Sequence, residues 1–146
     1  MYKAIVLNDD SMKFLIQHLS MKGWETHCHH VTICMGSDKK GKYPFTVGDE
    51  VTVTIKSVGM CYTSCLPKDS KWRLGLPSTV KEDDLLAICV EVDLPEGKFV
   101  KNTVPHITLS VNRELGAKPV FSNACTEWVG TEHAGKELKG TVQLCI

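Results

Sequence analysis

One short pattern occurs twice in this chain and carries most of its chemical information. The first copy reads His-Val-Thr-Ile at residues 30–33, and the second reads His-Ile-Thr-Leu at residues 106–109. Successive side chains of a β-strand point to opposite faces. If both copies are strands, each presents a histidine and a threonine on one face and apolar side chains on the other.

The same alternation assigns every side chain of the two strands to a face. The predicted apolar face, which would anchor the strands in a core, consists of Val31, Ile33, Met35, Ile107, Leu109 and Val111. The predicted polar face consists of His30, Thr32, Cys34, His106, Thr108 and Ser110.

A histidine beside a hydroxyl is suited to the cleavage of a phosphodiester. One group must remove a proton from the nucleophile and another must protonate the leaving oxygen, and imidazole does either near neutral pH. His30 and His106 are therefore the predicted acid–base pair. Thr32 and Thr108 are predicted to donate hydrogen bonds to phosphate oxygens. This scheme needs no metal and no cofactor, but the two strands must lie side by side across a groove.

The surrounding pattern predicts one α+β domain over residues 1–146. Apolar runs and alternation predict strands at 2–7, 28–35, 51–56, 85–94, 105–111 and 142–146. Helical spacing predicts a helix that Asp9, Asp10 and Ser11 begin and Gly23 ends. Pro119 suits the start of a second, short helix that includes Trp128.

Composition and charge narrow the range of partners. Lys plus Arg and Asp plus Glu both total 17, whereas a protein that coats long duplex nucleic acid usually has a basic excess. The neutral balance therefore favours a small or short substrate that is held in a local pocket. No apolar run approaches the length of a membrane span. The seven cysteines are odd in number and form no regular framework, and the sequence begins with no signal-peptide pattern. We therefore expect reduced thiols and a cytoplasmic location. The sequence does not indicate an oligomeric state.

The paired motifs resemble the two-histidine phosphoesterase superfamily. The second copy, with Pro105 before it and the runs Lys-Pro-Val at 118–120 and Ser-Asn at 122–123, is similar to its tRNA-ligase-type cyclic phosphodiesterases. The first copy, preceded by a further histidine, His29, is similar to small RNA-repair-like proteins of phages and plants.

This resemblance implies a fold and an activity. The fold would be two-lobed and pseudo-twofold, with antiparallel sheets forming a concave groove and a few flanking helices. His30 and His106 would be general acid and base, with Thr32 and Thr108 on the phosphate. The activity would be hydrolysis of a cyclic nucleotide phosphate, most simply a 2′,3′-cyclic phosphate of a small nucleotide or an RNA end. A phage nuclease of the anti-CBASS type, which degrades cyclic oligonucleotide signals in the host cytoplasm, belongs to the same superfamily.

Substrate contacts are expected from two further segments. The irregular stretch 61–79 carries Tyr62, Trp72 and Arg73, where an aromatic ring can stack on a base and the guanidinium can bind a phosphate. Trp72 can equally hold a surface loop on the core. Lys118 and Asn123 are expected either to face the groove or to begin and cap a helix.

Three other interpretations stay open from the sequence. The cluster at residues 27–30 with Cys34 suggests zinc, although alternation would send His27 and His29 to the face opposite His30. A thiol nucleophile, Cys28 or Cys34, is a second possibility. The third is a nucleic-acid-binding β-barrel module, which the Phe-Thr-Val-Gly-Asp-Glu run at 45–50 would suit.

Overall fold

Antiparallel strands make up most of the regular secondary structure in this computed structural model, which describes residues 1–146. The strands are β1 (Tyr2–Leu7), β2 (Glu25–Thr26), β3 (His30–Met35), β4 (Glu50–Tyr62), β5 (Leu85–Asp93), β6 (His106–Val111), β7 (Glu127–Val129) and β8 (Glu137–Cys145). The α-helices are α1 (Asp9–His18) and α2 (Lys71–Leu74), and the 3₁₀ helices are Thr63–Cys65, Arg113–Leu115 and Pro119–Ala124. The fold class is therefore α+β, as the sequence predicts. Neither α-helix has the length and apolar character that a membrane crossing would need.

Six of the strands close into a ring. Each of them pairs with the next in the order β6, β3, β1, β8, β4 and β5, and β5 pairs again with β6. All of these pairings are antiparallel. Every strand of the ring contributes apolar side chains to one buried cluster, which includes Ile5, Val31, Val53, Val90, Ile107 and Val142. The main core therefore fills the ring, and the opposite strand faces look outward.

A second, smaller cluster covers part of the outer surface. Its buried members are Cys61, Leu66, Leu86, Ala87, Val111, Ala117 and Phe121. Phe121 is the centre of the 3₁₀ helix Pro119–Ala124, and its ring packs 5.7 Å from that of Trp72. The same cluster includes Leu86 and Ala87 of β5 and Val111 of β6, so it holds the 3₁₀ helix against these two strands.

The two histidine strands, β3 and β6, pair with their neighbours β1 and β5 in the same irregular way. In β3, Thr32 is paired with Ala4 and Cys34 with Lys3, so Ile33 is an extra residue. In β6, Thr108 is paired with Cys89 and Ser110 with Ile88, so Leu109 is the extra residue. Both strands therefore bulge at the position directly after the threonine of the motif.

The bulges correct the predicted faces beyond the threonines. Because an extra residue shifts the alternation of the bulged strand, Met35 turns outward and is 67% exposed instead of lying in the core. Val111 joins the outer cluster instead of the one that holds Ile107. Ser110 is completely buried instead of lying on the open polar face, and Cys34 packs in the main core cluster.

Three predicted helix boundaries are also corrected. α1 ends at His18 with Leu19 as its C-cap, and not at Gly23. The side chain of Asn8, one residue before Asp9, caps α1 by accepting from the Ser11 amide at 2.9 Å. Trp128 belongs to β7 and not to the second helix, because it pairs with Gly59 of β4. A Cβ at Gly59 would lie 2.4 Å from the Trp128 ring, so this pairing requires glycine.

Candidate active site

The two motifs meet where β3 pairs with β6. Val31 and Ile107 are directly opposite each other in an antiparallel register. Continuing this register by one residue places His30 opposite Thr108 and Thr32 opposite His106. His30 and His106 are therefore diagonal neighbours across the two strands, and such neighbours lie about 7–8 Å apart. The strands therefore lie side by side, as the two-histidine scheme requires.

A cavity of about 640 Å³ lies over this junction. Its lining consists of Tyr2, His27, His29, His30, Thr32, Cys34, Met35, Lys101, Asn102, His106, Thr108, Pro119, Val120 and Asn123. All four residues of the two motifs are among them. No carboxylate lines the cavity, and the one formal charge of its lining is that of Lys101. Although the chain as a whole is neutral, this cavity suits an anion.

His106 is held by the main chain. Its Nδ1 lies 2.9 Å from the Val104 carbonyl oxygen, which accepts only, so Nδ1 carries a proton and Nε2 is the ring nitrogen that can exchange a proton with a ligand. Burial lowers the pKa of His106 below its usual value, while the Val104 carbonyl and the Asn123 side chain act against that lowering. The acceptors around His106 therefore help it to keep a proton.

His30 is held by another side chain. Its Nδ1 lies 3.0 Å from Nδ1 of His29, and the Tyr2 ring packs 5.1 Å from its own ring. Burial lowers the pKa of His30 to about 4, and the nearby histidines 29, 27 and 106 add to the lowering. His30 is thus neutral at the pH where an ordinary histidine titrates, which suits a base.

The two threonines differ in their surroundings. Thr108 donates to Ser122 Oγ at 3.0 Å, and Ser122 is almost fully buried in the 3₁₀ helix. Thr32 makes no side-chain hydrogen bond within the chain, so its hydroxyl is free to donate to a ligand.

The residues before β3 do not follow the predicted alternation. Cys28 has a φ of 53°, which few residues other than glycine adopt, and β3 begins only at His30. Cys28 is completely buried, while His27 and His29 both line the cavity with His30. The expectation that His27 and His29 lie on the face opposite His30 is wrong, because the backbone turn at Cys28 reverses it.

His27 also belongs to a chain of charged contacts. Its Nε2 lies 2.6 Å from Glu25 Oε1, and both oxygens of that carboxylate accept from Arg113, at 2.7 and 3.0 Å. Arg113 holds the pKa of Glu25 below its usual value. Glu25 thereby fixes the His27 ring at the edge of the cavity.

Of the five predicted substrate contacts, the cavity contains one. Asn123 lines it, whereas Lys118 is exposed just before the 3₁₀ helix and outside the lining. The three others, from the 61–79 segment, lie away from the site: Tyr62, Trp72 and Arg73.

These three side chains make contacts within the protein. The Tyr62 hydroxyl donates to Met60 Sδ at 3.5 Å. Trp72 packs on Phe121, the second of the two roles that the sequence allows. Arg73 donates to the carbonyls of Thr63 and Leu66 at 3.2 and 3.3 Å and pairs with Glu82. Its guanidinium is therefore occupied by the loop itself, and the expectation of a phosphate contact there is corrected.

Three residues that line the cavity were not predicted, because no sequence pattern assigned them to the site. Tyr2 begins β1 and reaches the site because β1 pairs with β3. Lys101 and Asn102 arrive from the loop before β6, where the Lys101 amide donates to the Ile33 carbonyl at 2.8 Å. A tyrosine, a lysine and an asparagine in separate segments form a pattern only after the sheet has closed.

The cysteines near the site are poor nucleophiles. Cys28 is buried in the main core, and burial raises the pKa of its thiol to about 12. Burial also raises the pKa of Cys34. Both thiols are consequently protonated near neutral pH and inert. No three His, Cys, Asp or Glu side chains form a group with the geometry of a metal site.

No protein-family model, curated protein or solved structure matches this chain.

Proposed function

We propose that this protein is a metal-independent phosphodiesterase that hydrolyses a cyclic nucleotide phosphate. The favoured substrate is a 2′,3′-cyclic phosphate of a nucleotide or an RNA end. One observation carries the proposal: two His-Xaa-Thr strands lie against each other and present both histidines and both threonines to one cavity without carboxylates.

The matching registers support a pseudo-twofold, two-lobed fold of the two-histidine kind. β3, β1 and β8 would form one lobe, and β6, β5 and β4 the other. The lobes adjoin at β3–β6 on one side and at β8–β4 on the other. The bulge after each threonine falls at the same place in both lobes, and this equivalence makes chance repetition of the motif a poor explanation.

His30 is the base and His106 the acid. Neutral His30 takes a proton from water through Nε2, and the water oxygen forms a bond to phosphorus. The bond from phosphorus to one ribose oxygen breaks, and that oxygen receives the proton that His106 carries on Nε2. The product is a phosphomonoester beside a free hydroxyl. The lowered pKa of His30 and the proton-holding contacts of His106 support this division of roles.

The threonine hydroxyls stabilise the negative charge that develops on the non-bridging oxygens. Thr32 donates directly. Thr108 donates to Ser122 when no ligand is bound and turns its hydroxyl to the phosphate when a ligand binds.

The same chemistry on a cyclic oligonucleotide, as in phage anti-CBASS nucleases, is the second candidate. The volume of about 640 Å³ favours it, since the cavity extends beyond the two motifs to Lys101 and Asn102. A nucleic-acid-binding module would share the closed sheet but would have no use for two free imidazoles beside two hydroxyls.

A substrate panel tests the proposal. Purified protein in excess EDTA is incubated with 2′,3′-cyclic mononucleotides, RNA ending in a 2′,3′-cyclic phosphate, and cyclic di- and trinucleotides. We expect hydrolysis of at least one, and a loss of about 10²–10⁴-fold in His30→Ala and in His106→Ala. His133→Ala, which changes a histidine packed on Phe14 outside the cavity, is the matched control. Near-normal turnover of both cavity variants, or loss of all activity in EDTA, would contradict the mechanism.

A further inference from the structure

His29 and His30 are adjacent in sequence and yet face the same cavity. Their Nδ1 atoms are 3.0 Å apart, and their rings meet edge to face at 81° with centroids 5.2 Å apart. In a regular strand, neighbouring side chains point to opposite faces. Their contact is therefore imposed by the backbone that precedes them.

Cys28 is the residue that imposes it. Its left-handed φ of 53° is sparsely populated for a residue with a side chain. Its amide donates to the Thr108 carbonyl at 2.9 Å, and the amide of His27 donates to the Leu109 carbonyl at 2.8 Å. The buried thiol and these two bonds to β6 hold the turn in place. Strain is thus maintained directly before the proposed base, and its result is the contact between the two imidazoles.

The contact has only two chemical forms. When two nitrogens lie at hydrogen-bond distance, one must carry the proton and the other must accept it. If His30 donates from Nδ1, its Nε2 has a lone pair and can act as a base. If His29 donates, the neutral His30 carries its proton on Nε2 and the base is lost. No other side-chain hydrogen bond reaches a nitrogen of His30, so His29 alone decides between them.

We propose that His29 is a positioning residue whose Nδ1 accepts the Nδ1 proton of His30 and thereby fixes the tautomer that makes Nε2 the base. This inference rests on the proposed phosphodiesterase function. The proton that His30 takes from water is held on Nε2 until it leaves, and Nδ1 keeps its bond to His29 throughout. A neutral acceptor orients the ring as a carboxylate would, without the negative charge that would favour the protonated base at rest.

Two substitutions separate positioning from packing. His29→Asn keeps an acceptor oxygen close to the place of Nδ1, whereas His29→Phe keeps the ring volume and removes the acceptor. With the substrate that the wild type hydrolyses fastest, we expect kcat to fall about 10–100-fold in His29→Phe, with KM almost unchanged. His29→Asn should recover most of the loss. His133→Phe, the same exchange outside the cavity, should leave both constants unchanged.

Long-range ¹H–¹⁵N spectra of the imidazoles give a readout that is independent of activity. We expect His30 to be protonated on Nδ1 in the wild type and in His29→Asn, and to gain the Nε2-protonated form in His29→Phe. An identical His30 tautomer in all three proteins, or equal kcat values for Asn and Phe, would overturn the role of His29. An inactive wild type with the expected tautomers would instead count against the phosphodiesterase proposal alone.

Discussion

The two histidine strands of this protein share register and bulge but differ in what holds each histidine. His106 donates Nδ1–H to a main-chain carbonyl, and its threonine is bonded to Ser122 of the 3₁₀ helix. His30 contacts the side chain of His29, and its threonine, Thr32, has no partner. The second motif is thus fixed by backbone and by a packed helix, and the first by a titratable neighbour.

This difference is how one repeated pattern supplies two opposite roles. A carbonyl accepts in every protonation state, so it supports both the neutral and the charged form of His106, as an acid requires. The neighbours of His30 are themselves histidines, and with burial they hold its pKa at about 4. Paired groups whose surroundings separate their pKa values are the usual basis for acid and base assignments.

A change of leaving group gives the largest expected difference between the two histidines, because it separates the role of the acid from that of the base. A 4-nitrophenyl phosphodiester releases a stable anion that needs no proton, so the acid becomes dispensable while the base does not. On this substrate we expect His30→Ala to lose about 10²–10⁴-fold in kcat/KM and His106→Ala to lose less than about 10-fold. The release of nitrophenolate gives both values. The reverse order would exchange the roles of the two histidines, and equal losses would deny any division between them.

The threonines provide the next largest difference. Thr32→Val and Thr108→Val each remove a donor to the phosphate, and we expect kcat to fall about 10–100-fold in both. Only Thr108→Val also leaves the buried Ser122 hydroxyl without its partner, which should cost about 1–2 kcal/mol of unfolding free energy.

Chemical denaturation of the two valine variants separates the effects. The stability of Thr32→Val should match that of the wild type within about 0.5 kcal/mol. Thr32→Ser and Thr108→Ser, which keep the hydroxyl, are the controls for activity. Equal stability of both valine variants would mean that the Ser122 contact does not distinguish the two motifs.

The pH dependence of kcat/KM gives the most gradual effect, about tenfold per pH unit on each limb. The base must be neutral, so activity falls as pH decreases through about 4, the pKa of His30. The acid must be protonated, and because burial lowers the pKa of His106 below 6.5, activity falls as pH rises even before neutrality. Rates measured from pH 3.5 to 8.5 check both limbs. A profile that rises from pH 6 to 8 would contradict the assignment.

Much of the site was predictable because it depends on local pattern. Alternation alone places His30 and Thr32 on one face and Val31 on the other, and the same holds for the second motif. The prediction fails at Met35, because a bulge shifts the face and no residue type marks it. It fails at His29 because the left-handed turn falls on a cysteine, where glycine or asparagine would have been the recognisable signal.

The remaining errors concern contacts between distant segments. Trp72 and Arg73 have the residue types of a nucleotide site, yet their partners, Phe121 and Glu82, turn them into supports for the 3₁₀ helix and its loop. Tyr2 and Lys101 enter the cavity only because β1 and the loop before β6 dock on β3. Periodicity within one segment does not indicate such contacts between distant segments.

The central claim is that His30 and His106 share one phosphate, and an NMR titration tests it most directly. Adenosine 2′-monophosphate, a product-like probe, is added to the protein in EDTA while the imidazole Hε1 signals of all six histidines are followed. We predict that the signals of His30 and His106 shift together with a single Kd at one ligand per chain, and that His18 and His133 stay unmoved. Movement of only one of the two cavity signals, or two distinct Kd values, would contradict a shared phosphate site.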